Sequence, residues 1–157
     1  MEQDNWKFFL EGTWRGSGRV IDTLEYEEEL EFTKVKPIVY FYRQKLINPD
    51  KELLHSEVGY LRVFREPHAK EGKIELTISH PFGVCEVCEG TFTEKSIMLK
   101  SVSVIRTSSA LEQYVTKLFR EFTLKDQDTI VFNTEMSSKT ETKEQCPHLV
   151  GELKRVK

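Results

Sequence analysis

A chain of 157 residues, 38% hydrophobic and 31% charged, suits one domain with its own core rather than two. Its net charge of −3 excludes the concentrated Lys/Arg by which nucleic-acid and anionic-membrane binders neutralise their partners. Three cysteines, an opening MEQDNWKFFLEG without a basic-then-apolar leader, and no run approaching the ~20 apolar residues of a membrane helix argue against a disulfide framework and for a cytoplasmic or nuclear protein.

The first element predicted is a short helix over Asp4 to Glu11, where Asp4 or Asn5 caps a turn carrying Trp6, Phe9 and Leu10. A first strand follows over Thr13 to Val20. The stretch from Gly12 to Gly18 reads GxWxGxG, with Gly16 and Gly18 marking a bend or a close approach of a neighbouring backbone and Trp14 plugging a barrel corner. No strand precedes it and no helix follows, which excludes a dinucleotide loop. From Leu24 to Thr33 the alternation is strict: Leu24, Tyr26, Glu28, Leu30 and Phe32 share one face, and Glu25, Glu27, Glu29 and Glu31 form a solvated other face.

Further strands are predicted over Ile38 to Leu46, Leu53 to Phe64, Lys73 to Ser79, Val84 to Thr93, Ser96 to Ile105, Val115 to Lys125, Thr129 to Met136 and Leu149 to Val156, with a short helical piece near Ser108 to Gln113. Turn signals such as Asn48-Pro49-Asp50 and His80-Pro81-Phe82-Gly83 separate them. An open sheet of this size would leave two edges, and closure removes them. The predicted fold is therefore all-β: a single closed antiparallel meander barrel of about ten strands, spanning 1–157 and able to enclose one small ligand, as lipocalins and fatty-acid-binding proteins do.

Catalytic signatures are sparse. Cys85 and Cys88 form a CxxC without a second pair, and three residues apart on a strand their sulfurs face opposite ways, one to the core and one to the surface. There is no GxSxG, HExxH or P-loop, and no clear catalytic carboxylate pair. His68 lies in a charged loop and reads as solvent-facing, and His80, before Pro81, reads as a turn histidine.

The residues Gly12-Thr13-Trp14-Arg15-Gly16-Ser17-Gly18, Tyr26-Glu27-Glu28, His55 through Gly59-Tyr60-Leu61-Arg62, Gly83-Val84 through Glu89-Gly90-Thr91, and Met136 through Pro147-His148-Leu149 resemble the nitrobindins, a family of haem-binding ten-stranded barrels, over about residues 8 to 157. The resemblance implies that His148 is the proximal ligand of a haem b iron, and imidazole on the final strand suits that role. It implies nitric oxide binding and conversion of peroxynitrite to nitrate, with haem and a small diatomic or peroxynitrite ligand as partners. It places His55 near the haem edge, Thr23 where the family has a threonine near the haem, and Leu54, Phe82, Val84 and Met136 on the wall. His80 stands at a distal position, where it would be a sixth ligand, a donor to iron-bound oxygen, or the plain turn histidine above. Cys146, two residues before His148, offers a rival thiolate, and the stretch Lys139 to Gln145 lengthens the approach to His148 relative to the family.

The contrasting expectation is a non-enzymatic carrier of a fatty acid or similar apolar ligand. Such carriers share the GTW opening but follow the first strand with a helix-turn-helix lid, whereas this chain runs directly into the strand at Leu24.

Overall fold

A computed structural model describes residues 4–20, 24–110, 115–138 and 146–157, with backbone alone at 115, 137–138 and 146–148. Ten strands follow one another: β1 (Gly12–Val20), β2 (Leu24–Lys36), β3 (Val39–Ile47), β4 (Leu53–Phe64), β5 (Gly72–His80), β6 (Val84–Phe92), β7 (Ser96–Arg106), β8 (Val115–Asp126), β9 (Thr129–Ser138) and β10 (Cys146–Arg155). Each pairs antiparallel with its neighbours in sequence, and β1 pairs with β10 to close the barrel. Closure leaves no unpaired edge, so every strand has a partner on both sides.

Alternation decides which side chains fill it. On β2 Tyr26, Glu28, Leu30 and Phe32 are buried, while the outward Glu29 pairs with Arg15 and Arg43. On β1, inward Trp14 is fully buried and its indole N–H donates to the Leu10 carbonyl at 2.9 Å. Two residues farther along, Gly16 lies against β10, where a Cβ would stand 2.1 Å from the Glu152 carbonyl oxygen. The close approach expected of this glycine is what closes the seam.

The expected helix over Asp4–Glu11 does not form. Phe8 and Leu10, two residues apart, are both buried, a spacing that suits extended chain rather than a 3.6-residue period. The segment ends in a turn with Glu11 N–H donating to the Phe8 carbonyl, and Arg155 at the end of β10 donates to the carbonyls of Glu11 and Phe9 while lying over the Trp14 ring. Tertiary packing outweighs a weak helical preference. Residues 108–110 form a turn, and 111–113 lie outside the described residues.

The two ends of the barrel differ as a result. The N-terminal segment stops one end with Phe8, Leu10 and Trp14 against Phe32 and Tyr40. At the other end, where β1 meets β2, β3 meets β4, β5 meets β6, β7 meets β8, and β9 meets β10, no such plug enters among the described residues.

Candidate functional site

That second end holds a cavity of about 310 Å³ lined by residues from nine of the ten strands. Its wall is apolar: Leu24, Leu46, Leu54, Phe82, Val84, Leu118, Met136 and Leu149. Leu24 and Leu54 are 40% and 42% exposed, so the cavity reaches solvent between β2 and β4. Its floor is polar, with His55, Glu57, His80, Arg120, Gln44 and Thr134. The volume lies at the small end of the range for ligand clefts, and an apolar wall with a few convergent polar groups is how such clefts are usually made.

The floor is a connected ionic network. Arg120 on β8 grips Glu86 on β6 through both nitrogens, at 2.7 and 2.6 Å, and reaches Glu57 on β4 at 3.4 Å. Tyr42 donates to Glu57 at 2.9 Å, His55 Nε2 lies 2.9 Å from Glu57 Oε1, and His80 Nε2 lies 2.7 Å from Glu86 Oε1. Burial pushes both carboxyls up, but the Arg120 guanidinium and the imidazole contacts more than offset it, holding Glu57 below and Glu86 well below the ordinary value. Both are ionised at neutral pH. Glu28, deeper in the barrel, is the reverse: burial, reinforced by Glu57, pushes it up to about 8 against the hydrogen bond from Gln44, so its carboxyl is mostly protonated.

Local structure explains the placement of the two imidazoles. His80 ends β5, and the turn after it passes through Gly83 at φ 86°, a left-handed conformation that glycine adopts without cost. The turn brings Phe82 back over the cavity, with ring centroids 5.3 Å from His80 and 6.0 Å from His55. The two imidazoles stand 5.4 Å apart. His80 is thus an inward side chain of the cavity, only 7% exposed, rather than a plain turn histidine.

Of the residues singled out from sequence, His55, His80, Leu54, Phe82, Val84 and Met136 come together around this cavity. Thr23 lies outside the described residues, as does the stretch Lys139 to Gln145. His148 falls within β10, which begins at Cys146 rather than at Leu149. The pairing with β9 shifts between Pro147 and Leu149, so His148 is the extra residue of a bulge beside cavity-lining Leu149. Bulges recur next to active sites because they re-aim a side chain. Cys88 is buried and Cys85 exposed, as the alternation required.

The sequence reading missed Glu57, Glu86 and Arg120. Each was marked by parity: Glu57 falls on the same face of β4 as Leu61 and Val63, Glu86 with Val84 and Cys88, and Arg120 with Leu118 and Phe122.

Comparison with known proteins agrees with this architecture. Residues 8–155 match the model of the THAP4-like, heme-binding beta-barrel domain. A peroxynitrite isomerase of Nocardia farcinica is 34% identical over 155 residues, covering 93% of this chain and 86% of that protein. Peroxynitrite isomerase 2 of Mycobacterium ulcerans is 34% identical over 120 residues, 72% of this chain and 71% of its own. Among solved structures, Rv2717c from M. tuberculosis superposes with a TM-score of 0.77 at 31% identity, over 95% of this chain and 94% of that one.

Proposed function

The chain belongs to the nitrobindin family of haem-binding β-barrels, and from that premise we propose that it holds haem b in the mouth cavity through His148 and isomerises peroxynitrite to nitrate. The observation that carries the proposal is the cavity itself: an apolar wall over a polar floor, at the end of the barrel where His148 sits at a bulge of β10. The donor chemistry fits, since imidazole is a common axial partner of haem iron and an apolar wall suits a porphyrin face.

In this reading Leu54, Phe82, Val84 and Met136 cover the bound group and exclude water. His55 stands at its edge, and His80 presents a polar atom toward it. Arg120 clamps Glu86, and Glu86 in turn fixes the orientation of the His80 ring. The metal would supply a Lewis acid for an oxygen of peroxynitrite, and the dry wall would limit escape of reactive fragments.

The carrier reading is weakened on two counts. Only residues 21–23 separate β1 from β2, too few for a helix-turn-helix lid. The buried guanidinium of the floor, Arg120, is already engaged by two glutamates and is not free for a fatty-acid carboxylate.

Hemin-loaded chain mixed with peroxynitrite tests the proposal. Accelerated decay with nitrate as the product is expected, and the acceleration should be lost in His148→Ala. Decay no faster than with free hemin would overturn it.

A further inference from the structure

We propose that His55, Glu57 and His80 form a second metal site, a three-ligand seat for a divalent first-row cation on the cavity floor, separate from the haem ligand on β10. The three come from β4 and β5, and their ligand atoms all lie within 4.8 Å of one another. His55 Nε2 is 2.9 Å from Glu57 Oε1, and His80 Nδ1 is 4.0 Å from that same oxygen. Bonds of about 2.0–2.2 Å put ligand atoms on one side of an ion about 2.9–3.6 Å apart, so the His55–Glu57 edge already fits. Small shifts of the two imidazole rings close the other two.

Two further observations point to a cation. His80 Nδ1 is buried and has no hydrogen-bond partner, although its ring is 7% exposed and its other nitrogen is held by Glu86. With the Nε2 proton donated to a carboxylate, Nδ1 carries a bare lone pair aimed into the cluster. That is the orientation in which a carboxylate-backed imidazole binds metal, the partner carboxylate fixing the tautomer. Charge points the same way. Glu57 and Glu86 share one guanidinium, Arg120, so beyond the two imidazoles no further cation among the described residues contacts these carboxylates.

Two imidazoles and one carboxylate on one side of an ion leave its other positions open toward the cavity. This donor set suits Fe(II), Co(II) or Zn(II) rather than the all-oxygen preference of Mg(II) or Ca(II). On binding, His55 takes the tautomer with its proton on Nδ1, so no net proton need leave. None of its ligands lies on β10, so the site needs no haem ligand, but it shares the cavity: His55 and His80 are the residues placed beside the haem above.

The test is titration of the full chain with Co(II), read by its visible ligand-field absorption, and with Zn(II), read by calorimetry. One equivalent is expected to bind. His55→Ala and His80→Ala should each weaken binding at least about 100-fold, and Glu86→Gln about 10–100-fold through loss of ring orientation. His148→Ala, which would abolish haem binding through β10, should leave the Co(II) spectrum unchanged. His55→Phe and His80→Phe keep the ring packing against Phe82 and carry the same test if the alanine variants do not fold. Absence of stoichiometric binding to the wild-type chain, binding that survives the His55→Phe/His80→Phe double variant, or a Co(II) spectrum lost in His148→Ala would each overturn the proposal.

Discussion

At the plugged end of the barrel Phe8, Phe32 and Tyr40 pack ring against ring, and the one polar atom of Trp14 is satisfied by a carbonyl four residues away. At the mouth Glu57, Glu86 and Arg120 are buried as deeply, yet they are ionised and contacted across 34 and 63 residues of chain. The first arrangement stabilises by area removed from water. The second carries a large desolvation cost that mutual attraction offsets only while every member is present. A fold that needed only stability would fill both ends alike, so the charged floor is where the molecule departs from its own packing rule, as functional sites do.

The sharpest way to break that comparison is to remove one member from each end. Trp14→Ala should cost about 3–5 kcal/mol through a cavity, equally at all pH values where the chain folds. Arg120→Met should also cost about 3–5 kcal/mol, by stranding two carboxylates. Without the guanidinium their folded pKa values rise above the unfolded 4.5, so the Arg120→Met deficit should shrink as pH falls toward 4.5 while the Trp14→Ala deficit does not. Denaturant melts of both variants at neutral and acid pH check this, and parallel pH dependence would refute the distinction.

Glu28 lies between the two regimes, buried, hydrogen-bonded by Gln44 and repelled by Glu57. Its folded pKa of about 8 exceeds the unfolded value of 4.5, so its protonated form contributes stability that is full below pH 4.5 and lost as pH rises toward 8. Glu28→Gln keeps an oxygen for Gln44 to donate to and removes the titration. It should flatten the decline in stability between those pH values, a change on the order of 4 kcal/mol at pH 8. An unchanged slope would mean that Glu28 is not the group responsible.

A smaller effect is expected at the seam shared by both ends. Gly16→Ala places a methyl against the Glu152 carbonyl and should cost about 1–3 kcal/mol by pushing β1 from β10. A neutral result would show that the seam yields freely.

Much of this was legible in the sequence, and the reasons for the rest are physical. Strict alternation in Leu24 to Thr33 and its looser form elsewhere determine ten strands, and His80-Pro81-Phe82-Gly83 marks a turn correctly. The start of β10 was misplaced because Cys146-Pro147-His148 lacks alternation, the bulge having taken one residue out of register. The N-terminal helix was misread because Asp4 looks like a cap. In the fold its carboxylate accepts the Trp6 N–H and pairs with Arg65, a partner that no local pattern announces. The ionic floor was missed for the same reason, although parity marked each of its residues as inward. A single Glu on the apolar face of one strand is an anomaly, and only closure of the barrel brings Glu57, Glu86 and Arg120 within reach of each other and of the two imidazoles.

The central claim is that the mouth of this barrel receives haem through one residue of β10. Hemin titration followed at the Soret band tests it most directly, comparing wild type with His148→Ala. The account predicts a 1:1 shift in the wild-type chain that is absent or reduced to the spectrum of free hemin in the variant. An identical Soret shift in both proteins would contradict it.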